Sequence, residues 1–159
     1  MIKKILILLF LLNLNNCGYT PIYKFNENIN FKIKTMNFEG DRVVNNYLKS
    51  KLTRYIYVDK GEEFIINVKT NYTKEALDKD ITGEVSTYQL RLSISINTVN
   101  LNSENLKEFK EINKLYNFSE EFLLKNDDNK FQESSYENSI KQNMVNNIFD
   151  KFTLSLMNR

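Results

Sequence analysis

The sequence predicts an α+β fold: a two-layer sandwich of about four mostly antiparallel strands with two helices on one face, in the order β-α-β-β-β-α. Three observations predict it. Apolar residues alternate with polar ones along four stretches, apolar stripes of helical period mark two others, and the connection between the third and fourth stretches is short.

Over residues 29–38, Ile29, Phe31 and Ile33 alternate with Asn30, Lys32 and Lys34, and the apolar side resumes at Met36 and Phe38. Period two over this length describes a strand with one face buried. Gly40 breaks it and Asp41 is placed to cap a helix over 41–55, where Val44, Leu48, Leu52 and Tyr55, joined by Tyr47, recur at helical spacing. A turn at Asp59-Lys60-Gly61-Glu62 leads to a second strand, in which Phe64, Ile66, Val68 and Thr70 share one side. Residues 74–83 are charged and read as a connecting loop; with Glu84 they bring Asp78 and Asp80 together, three acids for which a solvated loop is the simpler account than a cation site.

The clearest strand covers 85–101, with Tyr88, Leu90, Leu92, Ile94 and Ile96 on one side and Gln89, Arg91, Ser93 and Ser95 on the other. Residues 102–105 make a turn, and 106–118 read as the fourth strand, so this hairpin is antiparallel. Asn126-Asp127-Asp128-Asn129 is a polar loop, and Phe131 stands where a calcium-binding EF-hand would need glycine. Ser134-Ser135-Tyr136-Glu137 fits a capping box. Beyond it Tyr136, Ile140, Met144, Ile148, Phe152 and Leu156 recur every four residues, with Val145 and Phe149 widening the stripe of a long helix. Both helices need a sheet face to cover their stripes, which leaves the sheet's other face open.

Ahead of the domain, Met1-Ile2-Lys3-Lys4 is followed by an apolar run of eight residues, Ile5 to Leu12, then by Asn13-Leu14-Asn15-Asn16 and Cys17. This is the pattern of an export signal over residues 1–16. Its apolar core is too short for a membrane span, which takes about 20 apolar residues. Cys17 is the one cysteine of the chain, so no intramolecular disulfide can form. A cysteine ending such a leader resembles the lipobox of bacterial lipoproteins, with Leu14 at its apolar position and Asn16 where Gly, Ala or Ser normally stands. The resemblance implies lipid attachment at Cys17, the alternative being a free or buried thiol after an ordinary signal peptide. The chain then divides into a signal (1–16), a lipidated linker (17–28) and a single domain (29–159).

Removing Lys3 and Lys4 with the signal lowers Lys+Arg from 22 to 20 against 20 acids, so the mature chain is neutral. Nucleic acid is therefore not an expected partner, because binding it rests on neutralising phosphates. Histidine is absent, which removes the commonest general base and metal ligand. No motif sets two carboxylates on facing elements, so no enzyme is expected, and no cofactor beyond the covalent lipid.

The Cys17-Gly18-Tyr19-Thr20-Pro21-Ile22-Tyr23 start, the element order, the Thr87-Tyr88-Gln89-Leu90-Arg91-Leu92 strand and the long C-terminal helix together resemble the LPS-assembly lipoprotein family, LptE. The resemblance implies a non-enzymatic plug in the lumen of an outer-membrane LPS-assembly β-barrel protein (LptD-like), which it helps to fold and to pass lipopolysaccharide outward. It implies a place at the outer membrane, lipid-anchored on the periplasmic side; Gly18 lacks the aspartate that retains lipoproteins at the inner membrane. Lipopolysaccharide contact through basic residues is also implied, and Arg91 is the candidate, being on the open face of the clearest strand with a guanidinium suited to phosphate. The rival reading is a periplasmic lipoprotein that carries an apolar ligand between sheet and long helix.

Overall fold

The computed structural model describes residues 31–58, 61–101 and 113–157. The signal, Cys17, the linker, residues 29–30 of the first predicted strand, the 102–105 turn and the start of the fourth predicted strand lie outside the described residues.

Among the described residues seven elements follow one another: β1 (Phe31–Gly40), α1 (Arg42–Leu52), a 3-10 turn (Thr53–Tyr55), β2 (Glu62–Lys79), β3 (Val85–Asn100), β4 (Asn113–Lys125) and α2 (Lys130–Met157). The strands form one sheet in the order β1-β2-β3-β4. β1 and β2 are parallel, and the two other pairings are antiparallel. A parallel pair needs a crossover, and α1 supplies it.

Asp41 caps α1 as its position predicts, its side chain accepting the Val44 N–H at 2.8 Å. Gly40 makes the turn into it. Its φ of 103° is open to glycine, and a Cβ there would stand 1.8 Å from the carbonyl oxygen of Thr70, the residue beside it in the sheet. The core lies between the sheet and both helices. Ile33, Ile66, Leu90, Leu92, Ile94 and Ile96 meet Val44, Leu48, Leu52, Val145, Ile148 and Phe152, all fully buried or nearly so.

Two strand boundaries and one helix boundary differ from the sequence expectation, and in both strands charged residues are satisfied across the fold. Residues 74–79, expected in a loop, continue β2, with Lys74 opposite Leu90 and Ala76 opposite Tyr88. The turn is only Asp80 to Glu84, where the Asp80 carboxylate accepts the Thr82 hydroxyl and the N–H groups of Thr82 and Glu84. The Thr82 hydroxyl, together with these N–H groups, holds the Asp80 carboxyl below the usual range. β4 runs on through Glu120 and Glu121 to Lys125. Glu120 is met by Lys151 and Asn147 from α2, and Glu121 by Arg91.

The long helix begins at Lys130, a turn before the Ser134–Glu137 capping box, which is not used. The Asn129 side chain caps it by accepting the Gln132 N–H at 3.2 Å, while Glu137 faces β2. Tyr136, placed on the buried stripe by its spacing, is 55% exposed and lies edge-on to Phe122, with ring centroids 6.4 Å apart.

Candidate functional site

The strand alternation that buries one face turns the other outward as a mostly polar surface, because side chains paired across strands share a face. Asn37, Asn67, Asn97 and Leu115 form one row across all four strands; Glu39, Lys69, Ser95 and Asn117 form the next. The row of Thr73, Arg91 and Glu121 follows further along. Asn37 donates to Asn67 at 2.8 Å and Ser95 to Asn117 at 2.7 Å, while Lys69 and Glu39 stand 3.4 Å apart. Amides and hydroxyls thus hold one another in a ladder. Over the first two rows the face dips into an open depression of about 380 Å³, with Leu115 contributing apolar wall.

Arg91 lies on this open face, as the β3 alternation predicts. Its Nε donates to Glu121 Oε1 at 2.8 Å, and Gln89 donates to the other oxygen of that carboxylate at 3.1 Å. The bond to Glu121 and its charge raise the Arg91 guanidinium further above its ordinary value. Both partners are close to half exposed, at 44% and 51% of their side chains, so an incoming anion has access to the guanidinium. Cys17, the predicted lipid attachment point, lies outside the described residues.

The space between sheet and long helix, the ligand position of the rival reading, is occupied by Leu92, Ile94, Ile148 and Phe152, none more than 1% exposed. Among the described residues no group of three His, Cys, Asp or Glu side chains could hold a metal ion, and no helix is long and apolar enough to cross a membrane.

Sequence reasoning missed a buried ionic cluster at the far end of this interface. Lys74 on β2 donates to Glu133 at 2.7 Å and to Glu137 at 2.9 Å on α2, and Tyr72 donates its hydroxyl to Glu137 at 2.8 Å. Lys130 pairs with Glu133 and Lys141 with Glu137, so three cations surround the two carboxylates. Hydrogen bonds from Lys74 and Lys130 pull the Glu133 carboxyl down to about 2. Burial alone would raise Glu137, but Lys74, Tyr72 and Lys141 together outweigh it and lower it. Burial, then the bond to Glu137, pushes the Tyr72 hydroxyl up. The one signal in the sequence is the spacing of Glu133, Glu137 and Lys141, four residues apart on one side of a helix. The cluster fastens α2 to the β2–β3 ribbon.

No protein-family model matches this chain, and no curated protein matches it. Solved structures do. The crystal structure of the rare lipoprotein B from Shewanella oneidensis aligns over 77% of this chain and 92% of its own, at 11% identity and a TM-score of 0.54. The solution structure of an uncharacterized lipoprotein B from Nitrosomonas europaea aligns over 82% and 86%, at 13% identity and a TM-score of 0.51. The four-stranded mixed sheet under two helices is thus the rare lipoprotein B, LptE-like fold, and the resemblance drawn from the element order holds at the level of the fold.

Proposed function

We propose that this protein is a lipid-anchored, non-catalytic assembly factor of the outer membrane. It is held on the periplasmic side by acylation of Cys17, and it plugs and helps to fold the LPS-translocating β-barrel while assisting delivery of lipopolysaccharide to the outer leaflet. The observation that carries this reading is the open sheet face. Its Asn, Ser and Thr ladder lies outside a domain whose own apolar core is complete, and a barrel lumen is a polar environment that such a face can fill without burying unpaired charge. Likeness in fold to two bacterial lipoproteins supports the anchored location. Arg91, exposed and among the described residues ion-paired with Glu121 alone, is the proposed contact for a lipopolysaccharide phosphate.

Two measurements test it. Extraction of native outer membranes in mild detergent should bring this protein out with a barrel protein several times its size; recovery alone, or with only a small lipid, overturns the plug. Labelling of cells with radioactive palmitate should mark the protein, and a Cys17→Ser variant should stay unlabelled. An unlabelled wild type removes the anchor.

A further inference from the structure

Charge is distributed unevenly along the domain. Phe31, where the N-terminal segment joins the sheet, stacks on Tyr55 with ring centroids 4.5 Å apart, and Tyr55 lies 6.2 Å from Phe149 of α2. These rings mark one end of the molecule, and the end of α1 brings Lys49, Lys51 and Arg54 to it. The Lys51 ammonium and the Arg54 guanidinium sit 5.4 and 5.0 Å from the Phe149 ring centre, and Arg54 lies 5.6 Å from that of Tyr55. Among the described residues none of these three cations is ion-paired. Tyr57, two residues past Tyr55, is 78% exposed. Of the acids at this end, Glu63 pairs with Lys32 and Lys34, Glu62 accepts from Asn100, and Asp150 lies near enough to Tyr55 to act on it. The opposite end carries more acids than cations: around the β2–β3 turn and the start of α2 stand Glu75, Asp78, Asp80, Glu84, Asp127, Asp128 and Glu133, against Lys74, Lys79, Lys125 and Lys130.

We propose that the end formed by Lys49, Lys51, Arg54 and Tyr57 is a membrane-surface patch that rests on anionic phospholipid headgroups. Guanidinium and ammonium groups supported on aromatic rings, with no acid in ion-pair distance among the described residues and beside an exposed tyrosine, are the chemistry of a bilayer interface, where tyrosine sits at headgroup level and cations meet phosphate. The chain outside the described domain points the same way. Residues 17–30 reach at most about 50 Å when extended, they lead to Phe31 at this end, and they carry Tyr19, Ile22, Tyr23 and Phe25. The acidic end then faces away from the lipid, which fixes the orientation of a chain with no net charge after removal of the signal. The patch belongs to the folded domain and does not rest on acylation of Cys17, so it is tested without the lipid.

Residues 31–157 hold the whole described core, so the chain from residue 17 onward with Cys17→Ser is the folded unit to use. It should sediment with vesicles of phosphatidylcholine containing phosphatidylglycerol, not with phosphatidylcholine alone, and high salt should release it. The triple variant Lys49→Gln/Lys51→Gln/Arg54→Gln should lose about 100-fold in partitioning, since each cation near an anionic surface contributes on the order of 1 kcal/mol. Lys69→Gln/Lys79→Gln/Lys125→Gln makes the same change in net charge away from this end and should bind like the parent. Circular dichroism checks that each variant is folded; if the triple is not, Lys49→Gln alone, at an exposed position, should cost about five-fold. Absent binding to the anionic vesicles, an unaffected patch variant, or an equal loss in the control triple overturns the proposal. Because the lipid is missing throughout, each of these results leaves the palmitate experiment to decide the anchor separately.

Discussion

From Val145 to Leu156 the long helix meets the sheet mainly through apolar side chains, whereas from Glu133 to Lys141 it meets β2 through charges beside the buried Ile140. In the apolar half Phe152 is fully buried, with Tyr116 and Phe118 edge-on at 5.4 and 6.4 Å. Each large side chain removed from water there contributes roughly 1.5 to 3 kcal/mol, and this apolar contact does not depend on pH or salt, although Lys151 and Glu120 add an ion pair at its rim. In the ionic half Lys74 also lies 4.3 Å from the Tyr88 ring centre and Lys141 lies 4.1 Å from that of Tyr72, so the cations are packed as well as paired. Desolvation offsets much of the attraction in such a cluster, so its members give a defined helix position more than net stability. One helix is therefore anchored by burial at one end and positioned by charge at the other.

The largest expected effect breaks the apolar half. Phe152→Ala leaves a cavity among Tyr116, Phe118 and Ile148, and should cost about 3 to 5 kcal/mol in urea unfolding. A loss under about 1 kcal/mol would mean that this half is not the stabilising one. Next comes Glu137→Gln, which removes the charge shared by Lys74 and Lys141 while keeping an acceptor for Tyr72. It should cost about 1 to 3 kcal/mol, because two partly buried ammonium groups lose a partner. If Glu137→Gln were to destabilise as much as Phe152→Ala, the contrast between the halves would be gone.

The two halves also differ in how they respond to acid. Glu133 has an ordinary carboxyl value of 4.5 in the unfolded chain and about 2 in the fold. Its contribution is thus complete above the unfolded value and fades as pH falls from there toward about 2. The stability difference between wild type and Glu133→Gln should accordingly be constant near neutral pH and shrink toward zero in acid, read as the gap between their melting temperatures. The gap for Phe152→Ala should show no such fading. A Glu133→Gln gap that persists undiminished at pH near 2 would place the effect in packing instead of charge.

The same contrast explains what the sequence made legible. Where one face is apolar, alternation and helical spacing placed Leu90, Leu92, Ile94 and Ile96 on β3, Val44, Leu48 and Leu52 on α1, and Ile148 and Phe152 on α2, all as found. Where the inward face carries charge, the pattern misleads. Lys74 faces the helix side of β2 but reads as loop, and Glu137 reads as a cap because its β2 partners, Lys74 and Tyr72, lie 63 and 65 residues away in the chain. Partners so distant leave no periodic trace. The open face was legible as polar from β3 alone; the rows linking Asn37, Asn67 and Asn97 needed the strand register, which no single strand encodes.

The smallest stability effect is expected at Arg91, outside both halves. Its pair with Glu121 is largely solvated, and exposed pairs contribute about 0 to 1 kcal/mol, so Arg91→Ala should barely shift the melting temperature. That makes the position a clean probe of the proposed contact: a folded Arg91→Ala protein that retains less lipopolysaccharide has lost recognition and not structure. The partner supplies the opposite sign. Glu121→Gln releases the guanidinium from its only charged neighbour within ion-pair distance among the described residues, so phosphate should meet less competition and lipopolysaccharide retention should rise. If both substitutions leave retention unchanged, Arg91 is simply the cation that lets Glu121 stand on the fourth strand.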